Sequence, residues 1–352
     1  MERSFWLSFE AIQRARQKLN DCLQDTPMLR LSMMDNEADG GGEILARVES
    51  LQVTGSFKAR AAIFALQALE SQIDENGVWT ASAGNMGKAL AWAAKQKRIA
   101  CTVIVPHDAP RVKREAIAQY GARLIEVPFE EYQQIQIRGE HPEMKGKLVH
   151  PFADRAVITA HAVLGLEIIE GNPDLEAIFL PYGGGGLCLG VAQAARYLNP
   201  HLKVIACEVE TATPLTVSIK AGKPMETSYT PSFISGMGAP FVFPQMWELV
   251  RQFVTETAVV SLFEVRHAMR WLYHACHLVV EGAGAVSFAA AWKNRHRFRK
   301  TACILSGGNI DPQLFCEVLN DASHPYRHGY WQDSGQTEPL LLWDGIRGDF
   351  IG

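Results

Sequence analysis

The sequence predicts an α/β fold in which two lobes, each a mostly parallel sheet covered by helices, face one another across a cleft. Short apolar runs alternate with helical stretches over roughly residues 77–128, and the same alternation resumes beyond residue 156. The connections are short, as expected for strands and helices packed in successive layers. Four glycine- or serine-bearing motifs fall where a strand-like run gives way to a helix, and in open parallel sheets ligands gather beyond those strand ends.

Taken in order, the chain opens with an amphipathic helix after Ser8, and EILARVE at 43–49 reads as a strand. Ser56 is placed to cap a helix that continues through the Ala-rich AIFALQAL. GVWTA then leads through SAGN into MGKALAWAAKQKR, and IACTVIVP leads into RVKREAIAQYG and RLIEVP, a compact β-α-β-α-β unit. A second series runs AVITAHAVLGLEIIEG, strand EAIFLP, a glycine loop, helix LCLGVAQAARYL and strand LKVIACEVE. Ser261 and Glu264 have capping-box spacing for a helix to about His277, and TACILS is a last strand before another glycine turn.

Composition narrows the function. The 352 residues are 47% hydrophobic with a formal net charge of -4, and no basic stripe suggests a nucleic-acid partner. No apolar stretch is long enough to span a bilayer, and the charged N-terminus lacks the pattern of a secretory signal. The seven cysteines are scattered without a Cys-x-x-Cys pair, which fits buried free thiols in a reducing cytoplasm.

The first motif is ESLQVTGSFKARAA, which places Lys58 in a first helical turn. The helix N-terminus already carries partial positive charge, so a lysine there should have a depressed pKa and serve as nucleophile or base. The plain alternative is an exposed lysine that begins a helix. The second motif, ASAGNMGKALAWAA, offers backbone N–H groups to an anion such as a carboxylate. It is not a phosphate-binding P-loop, because Ser82 stands at the first glycine and Ala89 at the hydroxyl position.

The third motif sets four consecutive glycines, Gly183 to Gly186, between an apolar strand and a helix, where amides wrapping a phosphate would justify their conformational cost. The dinucleotide spacing G-x-G-x-x-G fails, since Cys188 or Leu189 stands in the third place. The fourth, ILSGGNID, puts Ser306 at a strand end and reads by itself as an ordinary turn. His161, at the start of an apolar helix, reads first as a packed core residue and second as a substrate contact.

Together and in this order, from about residue 20 to about residue 320, the motifs resemble the threonine/serine dehydratase (threonine ammonia-lyase) and serine racemase branch of the fold-type II pyridoxal-phosphate enzymes, in the tryptophan synthase beta-like superfamily. The loop GGGGL and the segment EGAGA at 281–285 resemble the dehydratases. The resemblance implies pyridoxal 5'-phosphate in the cleft, held as a Schiff base by Lys58 with Phe57 beside it. It places Asn85 near the cofactor's 3-oxygen, Gly183, Gly184, Gly185, Gly186 and Leu187 around the phosphate, and Ser306 at the pyridine nitrogen. The substrate carboxylate would meet Ser82, Ala83, Gly84, Asn85 and Met86, with His161 as a further contact. It also implies a large domain of residues 1–70 and 155–352, a small domain of 71–154, and a homodimer.

The implied reaction is β-elimination from a β-hydroxy amino acid, with Lys58 removing the α-proton and a 2-oxo acid and ammonia as products. β-Replacement to a non-standard amino acid, and a non-catalytic protein of the same fold, are the alternatives. Several positions depart from the family. Met86 stands for His, Lys88 for Gln, Ala160-His161-Ala162-Val163 for Gly-Gln-Gly-Thr, and Ile234-Ser235-Gly236 for Ala-Asp-Gly. The cation site of many members would need Glu208, the Ala212 carbonyl and an Asp where Pro214 stands, so no metal is expected. Racemases carry a serine before the Gly-Asn pair; here it is Ala83, which argues against racemisation. No regulatory lobe is expected after the catalytic region, and the apolar tail from about Ser323 (Tyr326, Tyr330, Trp331, Leu340 to Trp343) is expected to dock.

Overall fold

The computed structural model describes residues 6–31, 40–320, 342–344 and 349–351. Its first helix, α1 (Phe9–Leu19), is capped by Ser8, whose hydroxyl accepts from the Ala11 N–H, and it buries Ile12, Ala15 and Leu19.

A six-stranded sheet comprises β1 (Met28–Arg30), β2 (Glu43–Arg47), β7 (Ala177–Pro181), β8 (Lys203–Val209), β9 (Glu256–Val260) and β10 (Lys300–Ile304), in the order β1-β2-β10-β7-β8-β9. All its pairings are parallel except β1 with β2. Central β7 is buried at every position, because helices cover both faces, whereas edge strand β9 alternates. A four-stranded, wholly parallel sheet holds β3 (Val78–Ala81), β4 (Cys101–Pro106), β5 (Arg123–Val127) and β6 (Lys147–Leu148), in the order β5-β4-β3-β6. The chain therefore leaves the larger sheet after α2 (Lys58–Leu69), builds the smaller one, and returns at α6 (Arg155–Gly171).

Helices α3 (Asn85–Lys97), α4 (Arg111–Ala118) and α5 (Phe129–Arg138) dress the smaller sheet. The larger carries α7 (Gly186–Leu198), α8 (Pro214–Ala221), α9 (Pro244–Phe253), α10 (Leu262–Cys276), α11 (Gly282–Lys293) and α12 (Pro312–Leu319). The Ser261–Glu264 capping box is present and α10 closes at His277 in a left-handed conformation. Strands β11 (Leu342–Asp344) and β12 (Asp349–Ile351) pair antiparallel; Tyr326, Tyr330, Trp331, Leu340 and Leu341 of the tail expected to dock lie outside the described residues.

Two local expectations are corrected. Helix α2 begins at Lys58 with Phe57 at the cap position, and the buried Ser56 hydroxyl caps nothing. The Phe57 N–H instead donates to the Ser306 carbonyl at 3.0 Å, so a distant strand end fixes this corner. Cys188, Cys207 and Cys303 are buried thiols, but Cys22 and Cys316 are exposed.

A buried ionic network anchors α2. Arg60, 1% exposed, donates through Nε and Nη2 to Glu49 (2.9 and 3.0 Å) and through Nη1 to Glu167 on α6 (2.9 Å). Thr26 donates to Glu49 at 2.6 Å, and Arg47 to Glu167 at 2.6 Å. Burial alone would raise the Glu49 pKa from 4.5, but Arg60, aided by Thr26 and Arg47, more than offsets it and the net direction is down. Removing one member of such a set strands a buried charge, so Glu49→Ala should destabilise the fold by about 3–5 kcal/mol, read from urea unfolding. Because its pKa is lowered on folding, Glu49's contribution is complete above pH 4.5 and lost as pH falls, so the deficit of the variant should shrink in acid.

Candidate active site

Lys58 opens α2, the helix that packs both on α3 beside the smaller sheet and on α6 beside the larger. Its Nζ donates to the Pro151 carbonyl at 2.6 Å and lies 4.8 Å from the centre of the Phe57 ring. Burial lowers its pKa from 10.5 to about 7, so a large fraction of the amine is neutral and nucleophilic near neutrality. Desolvation, rather than the charge of the helix terminus, is the cause of this shift in the folded chain.

The glycine motif follows β7. Gly185 has φ +84°, and a Cβ on Gly184 would come within 2.2 Å of the Phe152 ring. A Cβ on Gly186 would lie 2.4 Å from the Phe152 carbonyl oxygen, so the loop is pressed against the segment that follows His150. Helix α7 starts at Gly186, and its first N–H groups have no partner within the helix, which makes this turn a ready anion site.

Asn85, the first residue of α3, joins a chain of side chains across the cleft. Its Nδ2 donates to Glu281 Oε1 at 2.6 Å, Asn309 Nδ2 donates to Asn85 Oδ1 at 2.7 Å, and Lys88 Nζ donates to Asn309 Oδ1 at 2.6 Å. Glu281 occupies the cap position of α11, yet its carboxylate turns away from that helix towards Asn85. Burial raises its pKa to about 7, against the opposing pull of Asn85, Lys113 and Lys88.

This geometry has close relatives. Residues 19–307 match the family described as "Pyridoxal-phosphate dependent enzyme". The chain belongs to that pyridoxal-phosphate dependent family. It is 33% identical to an L-threonine ammonia-lyase of Thermotoga maritima, over 89% of this chain and 78% of that one. It is 32% identical to a serine racemase of Dictyostelium discoideum, over 91% of this chain and 100% of that one. The solved maize serine racemase superposes with a TM-score of 0.79 at 29% identity, covering 90% of this chain and 99% of that one. Members of the threonine ammonia-lyase and serine racemase group thus share its fold and its cofactor, pyridoxal 5'-phosphate.

The residues present suit that cofactor. An interior amine of lowered pKa, a glycine turn whose amides open a helix, and a buried imidazole lie together around Phe57 and Phe152. The imidazole belongs to His161, which is fully buried, packs on Phe57 at 4.9 Å between ring centres, and makes no well-formed hydrogen bond at either nitrogen among the described residues, with the Gly186 backbone beside it. Burial first, then the charge of Lys58, push its pKa well below 6.5 against the weaker pull of the Gly186 backbone, so the ring is neutral. Ser306 is 3% exposed and its carbonyl ties the strand end to Phe57. In the turn before α3 Ser82 Oγ accepts from the Gly84 N–H at 3.4 Å. Leu187 and Met86 turn into the core, which leaves only the Met86 backbone to face a ligand.

Glu208 engages the start of α8. Its buried oxygens accept from the Leu215 and Thr216 N–H groups (both 2.8 Å) and from the Thr216 hydroxyl (2.5 Å), capping α8 at the Pro214 turn. Sequence reasoning missed Asn309, Glu281 and His150 as residues of this region. Asn309 lay inside the ILSGGNID motif and Glu281 inside EGAGA, so both had a signal; His150 had none.

A pKa near 7 has a direct consequence. In cofactor-free protein, the rate of reloading with pyridoxal phosphate should climb with pH to a midpoint near 7 rather than near the ordinary 10.5 of lysine, as followed by the visible absorbance of the bound cofactor.

Proposed function

We propose that the chain is an ammonia-lyase that acts by β-elimination on a β-hydroxy amino acid, threonine-like, serine-like or bulkier, giving a 2-oxo acid and ammonia. The observation that carries this reading is the buried Lys58 amine of lowered pKa together with a methyl group, Ala83, directly before Gly84-Asn85, where racemisation would need a second-face hydroxyl. Elimination needs one base on one face; racemisation needs a proton donor on the other.

In this reading the cleft lies between a small unit, residues 71–154, and the rest of the chain. The backbone of Ser82 to Met86 and the start of α3 hold the substrate carboxylate. Lys58, Phe57, Ser306 and the Gly183 to Leu187 turn would hold pyridoxal phosphate, which would supply the electron sink when bound. Freed Lys58 takes the α-proton onto Nζ, keeps it there, and delivers it to the departing β-hydroxyl as water. Asn85 orients the reacting plane under the hold of Glu281 and Asn309, and His161 closes the wall behind Phe57. Ser306 would offer the bound cofactor only a hydroxyl, too weak an acid to protonate a ring nitrogen, which would suit elimination better than transamination.

Racemisation is the second reading, favoured by the serine racemase relative matched over its full length. One experiment separates them: the visible spectrum of native protein and of Lys58→Ala, with ammonia and product chirality followed across a panel of β-hydroxy amino acids. The expected result is an absorption band missing from the variant, ammonia from at least one substrate, and no D-enantiomer. A D-enantiomer without ammonia would overturn elimination, and a band that survives loss of Lys58 would overturn the lysine assignment. Because Glu208 is committed to α8, EDTA or added magnesium should leave the ammonia rate within about twofold, measured in the same assay.

A further inference from the structure

The contact between Lys58 and the Pro151 carbonyl depends on a residue outside every motif. His150 is 8% exposed, and its Nε2 lies 2.8 Å from the Gln136 carbonyl oxygen of α5. On its other side Nδ1 accepts from the backbone N–H groups of Ala153 (3.0 Å) and Phe152 (3.3 Å). Only the neutral ring with its proton on Nε2 can make all three bonds at once. Burial, and secondarily the charge of Lys58, lower its pKa to about 4 against the pull of the Gln136 carbonyl, so that form prevails at neutral pH.

His150 therefore folds residues 150–153 into a tight strap and fastens the strap to the helix behind it. The Phe152 ring meets the imidazole edge-on at 4.5 Å and lies against Phe243 at 4.4 Å. The same ring fills the space beside Gly184, which sets the strap's other flank. With both flanks fixed, the Pro151 carbonyl has one direction left, and Lys58 Nζ meets it at 2.6 Å.

We propose that the Pro151 carbonyl is the resting station of the Lys58 amine whenever that amine is not bonded to the cofactor, and that His150 is the positioning residue that holds the station in place. The inference rests on the reading of Lys58 given above. On leaving the cofactor the amine needs a fixed acceptor, or it would swing among rotamers. After it takes the substrate α-proton it becomes an ammonium with three N–H bonds, one of which donates to the Pro151 oxygen while the others stay free. The ammonium then returns that proton to the leaving hydroxyl, and the amine is restored with no other reactant consumed.

The test compares native protein with His150→Phe, which keeps an apolar ring and loses every hydrogen bond, and His150→Asn. The Asn oxygen can still take the N–H two residues on as an Asx turn. In the cofactor-free full chain, the Lys58 pKa is read from the pH dependence of acetic anhydride labelling at that residue by peptide mass spectrometry. In the holoenzyme, kcat, KM and cofactor affinity are measured. For His150→Phe the expected result is a Lys58 pKa about one unit lower, since the carbonyl acceptor is lost while burial stays. Its kcat should fall about tenfold or more with KM and cofactor affinity within about twofold, and His150→Asn should recover kcat to within about threefold of native.

A native Lys58 pKa and native kcat in His150→Phe would overturn the proposal. So would equal losses in both variants that track a lowered melting temperature, which would make the residue merely structural. Should His150→Phe fail to fold, His150→Asn decides alone: near-native pKa and kcat support the station, and loss of both overturns it. If no amino acid yields product, the labelling readout still stands, so failure of the reaction assignment is separable from failure of this one.

Discussion

The pairing of Arg60 with Glu49 and Glu167 is the constraint on which the site depends. A guanidinium cannot lose its charge, so placing Arg60 in the interior is tolerable only with carboxylates fixed around it. One carboxylate comes from the turn after β2 and the other from α6, and the three groups lock the start of α2 to both. Lys58 lies two residues earlier on the same helix and is treated oppositely. It has no carboxylate partner among the described residues, so burial drives its amine towards the neutral form. Two basic residues within one turn thus have different protonation because one is paired and the other is not.

The second constraint is steric. The glycine loop, the Phe152 ring and the turn into α7 share a space too small for side chains at Gly184 and Gly186. One turn further on, a Cβ at Gly190 would come within 2.6 Å of His161 Cβ, so α6 and α7 touch almost backbone to backbone. Close packing of this kind resists relaxation, and it fixes the start of α7 against α6.

Much of this was legible in the chain. Alternating apolar runs and helical stretches gave both sheets, because parallel strands covered on two faces read as continuous apolar segments. Lys58, Asn85 and the glycine loop stood out because their local patterns are costly without a ligand. The start of α2 was misjudged, since Ser56 has the chemistry of a cap but its neighbour Phe57 is tied to Ser306 from the far end of the sequence. The cause of the Lys58 shift was misassigned for a related reason: burial is a tertiary property that a helix-terminus argument cannot see. Glu281, Asn309 and His150 act through partners remote in sequence, and His150 sits in a stretch with no periodicity to mark it.

The polar chain from Lys88 through Asn309 and Asn85 to Glu281 crosses between elements that belong to different sheets. Lys88 and Asn85 ride on α3 over the smaller sheet, while Glu281 and Asn309 belong to the turns at the ends of the larger. The two sheets are therefore joined through a side-chain amide held at both ends, its nitrogen by Glu281 and its oxygen by Asn309. An amide engaged on both sides cannot turn over without breaking two contacts at once, so the join between the sheets also fixes which edge of Asn85 donates and which accepts.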